Sequence, residues 1–540
     1  MHIGHPFAKA HARYLRDYAW RLGPGAAANP AWPETDGPRC IAVLPLRGET
    51  PDALSARLVE VAAGQALLIV VVNAPQAEQP HFAAHNAACI AAANASKVSP
   101  VFPVERAHNS AGYRAPGAGA VHAWWARNPT TGQPWLCCDA RGALAAGVGS
   151  ARRLGTDLAL ALRAHWADVS PYVRWMDADG GYPAAYFQDA PRGATDAARF
   201  ARFRHLAPED GHADAPLAEA TATYDAWLRY EWAALSAVGA AGAYPPIASL
   251  LHIHAGAYAA VRGVPERHAG EDFHLLAKLS KVGPIAGPLE VTVNLAARTE
   301  VRAPVGTAAG LTALLAGTSL AARFTHPEAF LALGRILSAT RPRHSHQTSS
   351  SVGPFASARG GSRSAAVESD EHLGPRGPET AQLREATTSR AALQPNPSAL
   401  MQTLLALGLP LRLQPFVAEA LGLTRDLLPS PVGVSGTETQ ALRHTTAPHP
   451  SQAAPHFAAW FDALKQRRFL RAWSGTLQPV PGPEAWAQAQ TLLGPAFTAT
   501  WRSGVPVSDS APPQARPPQA RTPKRAPQWS GTRRPMVPPR

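Results

Sequence analysis

The sequence predicts an α/β fold with a mostly parallel sheet flanked by helices, and three observations lead to that prediction. Residues 40–45 and 66–72 are apolar runs of the length of buried strands. A helical pattern over 51–63 lies between them, so strand, helix and strand follow in the order of a βαβ unit. A third stretch, 173–176, reads as a short buried strand that ends at two carboxylates, and the glycines and proline of 180–183 stop it.

Further elements are predicted on both sides of these three strands. Residues 188–220 are polar and rich in Asp, Arg, His and Pro, so we expect a mobile surface excursion there, suited to an acceptor loop. We expect the turn 302–307 to close over the ligand site that this excursion borders. The patterns predict helices over 8–22, 82–96, 147–168, 223–238, 255–262 and 271–282, and short strands over 99–104 and 249–253.

Composition divides the 540-residue chain into five parts. Residues 1–37 are a basic lead-in, and 38–338 form the predicted α/β domain. Residues 339–397 are rich in Ser, Gly and other small or polar residues, which predicts a disordered low-complexity linker. Residues 398–504 return to helical patterning and predict a helical accessory region. The tail, 505–540, repeats Pro-Pro-Gln-Ala-Arg and predicts a disordered, basic, proline-rich segment.

The net charge and the cysteines limit the classes of protein to which this chain can belong. The net charge is +13, but the tail alone holds seven basic residues and one Asp, so the folded part is only mildly basic. This balance suits anionic small substrates and does not favour a specific nucleic-acid partner. The four cysteines have no metal-ligand spacing, which favours a reducing compartment. We find no signal-peptide pattern and no run near the ~18–20 apolar residues of a membrane span, so we expect a cytoplasmic protein and leave peripheral membrane contact open.

The carboxylate pair is the first candidate site. Asp177 and Asp179 stand one residue apart at the end of a predicted strand. In an open α/β sheet, ligands bind in the crevice outside the carboxyl ends of the strands. Two carboxylates there can hold a hard divalent cation that keeps positions for substrate phosphates. The alternative is a strand that ends in a solvated Asp turn.

A second stretch gives the pair a context. Gly263-Val264-Pro265 is followed by Gly270-Glu271-Asp272, with Leu275 one turn into the next helix. Together with the Asp pair, this order resembles the family 2-type glycosyltransferases with a GT-A fold. Those enzymes carry an Asp-X-Asp at a strand end and a later "Gly-Gly-Phe-Pro … Gly-Glu-Asp … Leu" segment that opens a helix. The resemblance covers roughly residues 39–306, about half of the chain.

The resemblance implies a metal-assisted, hexosyltransferase-like enzyme with a GT-A-like nucleotide-binding sheet and an inverting outcome. It implies Mn²⁺ or Mg²⁺ on Asp179, with Asp177 facing the ribose or the waters of the metal. It puts the nucleotide base and ribose near the ends of the first two strands, where Asn73 stands in place of the acid of many relatives. Asp272 is then the general base that takes the proton of the acceptor hydroxyl, with Glu271 as the second choice.

The local chemistry of Asp272 supports that role but leaves an alternative. A helix amino terminus stabilises the charged form of a carboxylate, so we expect Asp272 to stay ionised. Residues of these types also cap helices, and Glu271 and Asp272 could do only that.

Basic and imidazole side chains complete the candidate site. Arg152 or Arg153 could bind the donor pyrophosphate, because a guanidinium fork suits phosphate oxygens. A solvated helix face explains the same two arginines. His252 or His254, at the end of a neighbouring strand, could contact the metal or the phosphate, whereas a lone histidine is more often structural.

The sequence therefore predicts a glycosyltransferase that moves a sugar from a nucleotide-diphosphate donor to the hydroxyl of an unidentified glycan, lipid or small molecule. A dinucleotide oxidoreductase is excluded, because no Gly-X-Gly-X-X-Gly follows the first strand. A sugar-nucleotidyltransferase would need a glycine-rich basic loop there, where the chain has only Arg47-Gly48. A non-catalytic nucleotide-sugar-binding scaffold is the third alternative, and the four acidic residues of the two motifs argue against it.

Overall fold

The computed structural model describes fourteen parts of the chain, and every statement below concerns them. They are residues 7–23, 37–75, 78–107, 120–144, 147–166, 168–188, 196–207, 215–266, 269–302, 305–317, 324–340, 396–410, 413–423 and 450–504. The predicted linker and tail fall almost wholly on 341–395 and 505–540, outside the described residues, and stay predictions.

Eleven strands of the described residues form one sheet. In spatial order it reads β1-β4-β5-β6-β3-β2-β7-β10-β9-β11-β8. In chain order the strands are β1 (Trp20–Leu22), β2 (Cys40–Leu46), β3 (Ala66–Val72), β4 (Phe102–Arg106), β5 (Val121–Arg127), β6 (Pro134–Asp139), β7 (Tyr172–Trp175), β8 (Gly180–Gly181), β9 (Ala198–Leu206), β10 (Leu251–His254) and β11 (Ile285–Ala296).

Fourteen helices of the described residues accompany the sheet. They are α1 (Ala8–Asp17), α2 (Pro51–Ala63), α3 (Pro80–Ala95), α4 (Val148–Leu162), α5 (Ala215–Ala237), α6 (Ala255–Ala260), α7 (Glu271–Leu279), α8 (Thr307–Leu315), α9 (Pro327–Thr340), α10 (Pro397–Ala406), α11 (Gln414–Ala420), α12 (Pro450–Trp460), α13 (Ala463–Ser474) and α14 (Gly482–Gly504).

The centre of the sheet confirms the predicted βαβ unit. β3 has the predicted bounds, pairs in parallel with β2, and is buried along its whole length. β2 also pairs in parallel with β7, and β3 with β6. Because the chain proceeds from β2 to β3 and β6 on one side and then to β7 on the other, the strand order reverses between β2 and β7. The carboxyl ends of these two strands therefore border the crevice in which α/β sheets bind ligands.

The sheet as a whole is mixed: outside its centre β9 and β11 pair in parallel and the other neighbouring strands are antiparallel, so the prediction of a mostly parallel sheet is correct only in part. β4, β5 and β6 form antiparallel neighbours, and β10 runs antiparallel to both β7 and β9. The reason is visible between β5 and β6: a short turn joins them, in which Gly132 has φ +72° and its N–H donates to the carbonyl of Asn128. Strands joined by a turn this short cannot be parallel, since a parallel pair needs a long crossover.

Two segments expected outside the sheet belong to it. β9 lies inside the predicted excursion 188–220, yet it pairs with both β10 and β11. Its arginines made the stretch look like a loop, but Arg199 pairs with Asp196 at 2.8 Å and Arg202 with Glu290 at 3.0 Å. In the predicted lead-in, β1 pairs with β4. The helix expected over 8–22 ends at Asp17 for that reason.

The described helices after the sheet build a second apolar core. The inner faces of α5 and α9 pack with α10–α14 around Tyr230, Phe330, Phe469 and Phe497, all essentially without exposure. The predicted helical region thus exists, and it shares a core with helices of the sheet-bearing part. Among the described residues, no helix combines the length and the apolar character that crossing a membrane requires.

Candidate functional site

The two aspartates directly follow β7, and backbone hydrogen bonds fix the loop that carries them. The N–H of Asp177 donates to Tyr182 Oη over 2.8 Å, and Tyr182 is buried. The carbonyl of Asp179 accepts from the N–H of Ala296 over 3.0 Å, at the end of β11. The loop is therefore held from both sides, and its two carboxylates lie at the carboxyl edge of the sheet beside the point where the strand order reverses.

A buried arginine joins the two sequence motifs. Arg152, near the amino terminus of α4, pairs through Nη2 with Asp177 Oδ1 at 2.5 Å and through Nη1 with Glu271 Oε1. Its guanidinium lies 5.3 Å from the ring centre of Trp175 in β7. Arg152 and Glu271 are 4% and 3% exposed. The start of α7 is thereby brought to the Asp pair, although Asp177 and Glu271 are 94 positions apart in the sequence.

The charge of Arg152 is secured by its partners. Burial on its own would lower the pKa of the guanidinium, but the charges of Asp177 and Glu271 outweigh burial and raise the pKa above its usual value. Both terminal nitrogens are engaged by carboxylates, so Arg152 is a bridge between two acids in this structure.

Asp272 stands beside this bridge in the first turn of α7. Its Oδ1 accepts the N–H of Phe273 over 2.7 Å, and Gly270, at φ +72°, occupies the cap position. Burial first, and then the charge of Glu271, raise the pKa of Asp272 from 3.8 to about 7, against the opposing charge of Arg152. The expectation that Asp272 stays ionised is therefore met only in part near neutral pH, where the acid and carboxylate forms coexist, because burial raises the pKa.

Asp179 faces a second group of charges. Its Oδ2 pairs with Arg298 Nη1 at 3.0 Å, and the same nitrogen reaches Glu49 Oε1 at 3.0 Å. Arg302 Nη1 pairs with that same Glu49 oxygen. Burial raises the pKa of Asp179, and the charges of Asp177 and Glu49 add to this, while Arg298 opposes it.

The donor set at this edge suits a hard divalent cation. The charges of Asp177 and Glu49 raise the pKa of Asp179, and a cation beside these three carboxylates would reduce the repulsion between them. Within the described ranges, no three or more His, Cys, Asp or Glu side chains form a ready metal cluster. A cation such as Mg²⁺ does not need one, because it binds through one or two carboxylates and completes its shell with water and substrate phosphates.

Asn73 lies at the carboxyl end of β3, on the same edge. Its N–H donates to the carbonyl of Leu46 over 3.0 Å, and its Nδ2 donates to the carbonyl of Gly147 over 3.0 Å. The side-chain oxygen is buried and has no hydrogen-bond partner within the described residues. A buried acceptor without a donor is uncommon in folded proteins, so this oxygen can accept a hydrogen bond from a water or from a ligand hydroxyl.

Two of the predicted site residues lie elsewhere. Arg153 turns away from the Asp pair and forms an ion pair with Glu266 at 3.1 Å. His254 ends β10, where it pairs with Tyr172 at the start of β7, and its Nδ1 accepts from the first backbone N–H groups of α6. Because β10 is antiparallel to β7, its end lies at the opposite edge of the sheet from Asp177. The prediction that His254 contacts the metal or the phosphate is therefore wrong. His252 pairs with Arg174 inside the same two strands.

Three charged residues of the site carry no sequence motif. Glu49 follows Gly48 in the loop after β2, and a lone acid after a strand gives a weak signal. Arg298 and Arg302 follow β11, a strand that the sequence did not resolve because ten of its twelve residues are half-buried or exposed. The turn 302–307 was predicted to close over the site, but its sequence does not indicate that Arg302 reaches the loop after β2.

No protein-family model matches the chain, and no curated protein sequence matches it. The likeness to the glycosyltransferases thus depends on the two motifs.

Proposed function

We propose that this protein is a nucleotide-sugar-dependent glycosyltransferase of the family 2 type with a GT-A-like fold. The observation that carries the proposal is the bridge through Arg152, which joins the Asp-X-Asp loop to the start of α7. Two motifs that are weak by themselves share one buried ion-pair network at the point where the strand order reverses, where α/β sheets bind ligands.

The edge of the sheet offers suitable partners for each part of a nucleotide diphosphate. The unpaired oxygen of Asn73 suits a donor hydroxyl such as that of ribose. Asp179 and Asp177 would hold Mn²⁺ or Mg²⁺, and such a cation supplies Lewis-acid stabilisation of the leaving diphosphate. The acceptor, whether glycan, lipid or small molecule, has no identified partner in the described residues.

The transfer forms a bond from the acceptor oxygen to the anomeric carbon and breaks the bond from that carbon to the diphosphate. Asp272 takes the proton of the acceptor hydroxyl. Its pKa of about 7 suits a general base near neutral pH, because the carboxylate form is available while the group still attracts a proton. Arg152 pairs with Glu271 beside it and holds Asp177 in place.

A sugar-nucleotidyltransferase is less well supported. The basic residue of the loop after β2, Arg47, pairs with Glu78 at 2.8 Å instead of facing the crevice as an unpaired cation. For a non-catalytic scaffold, the raised pKa of Asp272 would have no use, since it costs stability at neutral pH.

Calorimetric titration with UDP and GDP, each with and without Mn²⁺, tests the proposal. We expect metal-dependent binding by the wild type and its loss in Asp179→Ala, with an unchanged circular dichroism spectrum. Sugar conjugates of the nucleotide that binds should then be turned over by the wild type.

Asp139→Ala is the matched control. Asp139 also ends a strand at this edge, β6, but its side chain pairs with Arg141 at 2.7 Å on the surface. We expect its nucleotide affinity to equal that of the wild type. Equal UDP and GDP affinity with and without metal, in the wild type and in Asp179→Ala alike, would contradict the proposed function.

A further inference from the structure

Two arginines converge on a single carboxylate oxygen in the crevice. Arg298 Nη1 lies 3.0 Å from Glu49 Oε1, and Arg302 Nη1 contacts the same atom. Glu49 itself is held by its loop: the Sγ–H of Cys89 donates to its carbonyl, and the N–H of Gly48 donates to Asn86 Oδ1. Two guanidinium groups aimed at one point form an anion-binding position, and Glu49 occupies it.

Both arginines are held in place by contacts other than Glu49. Arg302 pairs with Glu300 at 2.7 Å, lies 4.9 Å from the ring centre of Phe82 and donates to the carbonyl of Arg47 over 2.9 Å. Arg298 pairs with Asp179 at 3.0 Å. The two side chains are 35% and 18% exposed for Arg298 and Arg302, so a ligand entering the crevice can reach them.

We propose that Arg298 and Arg302 bind the diphosphate of the donor, and that Glu49 holds this anion position until the diphosphate displaces it. The proposal rests on the proposed function, since it names the phosphate-binding residues of the same site. A diphosphate carries more charge and more acceptor oxygens than one carboxylate, and guanidinium groups bind phosphate oxygens through paired hydrogen bonds.

The arginines favoured by the sequence are already engaged. Arg152 bridges Asp177 and Glu271, and Arg153 pairs with Glu266. Arg298 and Arg302 are paired as well, but their side chains are more exposed than those of Arg152 and Arg153. Arg298 also contacts Asp179, the residue proposed to lie next to the leaving phosphate. The anion position is therefore adjacent to the carboxylate pair, as a diphosphate that touches both would require.

Isothermal titration of the full chain with inorganic pyrophosphate, in EDTA and at fixed ionic strength, tests the anion site without metal, sugar or acceptor. We expect Arg298→Ala and Arg302→Ala each to weaken pyrophosphate binding about tenfold or more, because each removes a charge-assisted hydrogen bond. Glu49→Gln should instead strengthen binding severalfold, since Gln keeps the size of the side chain and removes the competing charge.

Arg47→Ala and Glu78→Gln are the matched controls. Arg47 also lies near Phe82, at 5.9 Å, but it pairs with Glu78 at 2.8 Å. Both controls should bind pyrophosphate as the wild type does. Unchanged affinity in the two alanine variants, or weaker binding by Glu49→Gln, overturns the anion site, and so does a wild type that binds no pyrophosphate. The increase expected for Glu49→Gln cannot result from misfolding.

Different results would contradict the anion site and the transferase function. If pyrophosphate binding depends on Arg298 and Arg302 while no sugar nucleotide is bound or turned over with metal present, the anion site stands and the transferase function is contradicted. If sugar nucleotides are turned over equally by the wild type and both arginine variants, the function stands and the anion site is overturned.

Discussion

At the scale of single residues, burial and oppositely charged neighbours have opposite effects on the pKa values of Arg152 and Asp272. The arginine is buried and forms ion pairs with Asp177 and Glu271, whose charges raise its own pKa against the effect of burial. Asp272 is next to the bridge without joining it, and burial raises its pKa to about 7. Neighbouring carboxylates thus receive different environments, and the one with the raised pKa is the one suited to exchange a proton near neutral pH.

The pH dependence of the transferase reaction should report Asp272. Because the base must be deprotonated, we expect kcat/KM of the wild type to rise with pH through about 7 and then to level off. Asp272→Asn should turn over ~10²–10⁴-fold more slowly, since a general base is lost. Its donor affinity should be unchanged. Near wild-type transfer by this variant at saturating acceptor would assign Asp272 a capping role only, and Glu271→Gln would then be measured in the same way.

The same substitution has a second effect, on stability. The pKa of Asp272 is higher in the folded protein than its ordinary value of 3.8, so the folded state binds the proton more tightly. Its contribution therefore favours folding at low pH and is lost as pH rises from about 4 to about 7. Asp272→Asn removes this dependence and keeps an acceptor for Phe273. The melting temperature of the variant relative to the wild type should increase between pH 4 and pH 8, and a constant difference would show that the pKa is not raised.

Removal of the bridge should cost far more than removal of a surface ion pair. Arg152→Gln leaves Glu271 buried without its cation, and breaking one partner of a buried pair costs ~3–5 kcal/mol. Arg141→Gln removes a pair with Asp139 that is partly exposed, for which we expect ~0–1 kcal/mol. Urea denaturation measures both. Equal free energies of unfolding for the two variants would mean that the bridge does not stabilise the fold.

At the scale of elements, the short strand β8 determines where the Asp pair lies. Gly180 and Gly181 pair with Leu295 and Asn294 of β11, which draws the loop after β7 against the end of β11. A Cβ on Gly180 would lie 2.7 Å from the ring of Tyr182, whose hydroxyl holds the N–H of Asp177. The loop therefore has no room for a side chain at this position.

Gly180→Ala should consequently displace Tyr182 and loosen Asp177. We expect a loss of metal-dependent nucleotide affinity of about tenfold or more, measured by calorimetry, and a lower melting temperature. Gly181→Ala is the neighbouring control, because its Cβ would lie 3.7 Å from Asn294, an ordinary contact. If the two alanine variants bind nucleotide equally well, the position of Asp177 does not depend on Tyr182.

At the scale of the whole molecule, the described residues up to 504 belong to one compact unit with two apolar cores. One core surrounds the central strands, and the other joins α5 and α9 to α10–α14. α5 contributes to both, with Leu228 in the first and Tyr230 in the second. The helices after residue 396 therefore stabilise α5, which packs on β9 and thus supports the sheet.

Limited proteolysis tests this coupling. The composition of 346–395 and 505–540 predicts that cleavage occurs there first. The two large fragments should then elute together in size-exclusion chromatography, because the second core holds them. Phe469→Ala, which removes a buried ring from that core at ~3–5 kcal/mol, should weaken their association. Early cuts within 40–180, or fragments that separate without the substitution, would contradict this organisation.

The sequence by itself determined the centre of this protein. β2 and β3 are continuous apolar runs, and such runs require burial on both faces whatever surrounds them. The presence of helix α7 and the acids in its first turn also followed from local pattern. These features depend on neighbours within a few residues, which is the range that periodicity and capping report.

The tertiary structure determined which side chains lie next to one another at the site. Because β10 is antiparallel to β7, His254 lies at the opposite edge of the sheet from Asp177. Only the folded chain shows that Arg152 bridges two acids and that Arg298 and Arg302 both contact Glu49. The pKa of Asp272 likewise follows from burial by elements distant in sequence. Strand direction, desolvation and long-range charge pairing depend on residues tens to hundreds of positions apart, and no local pattern encodes them.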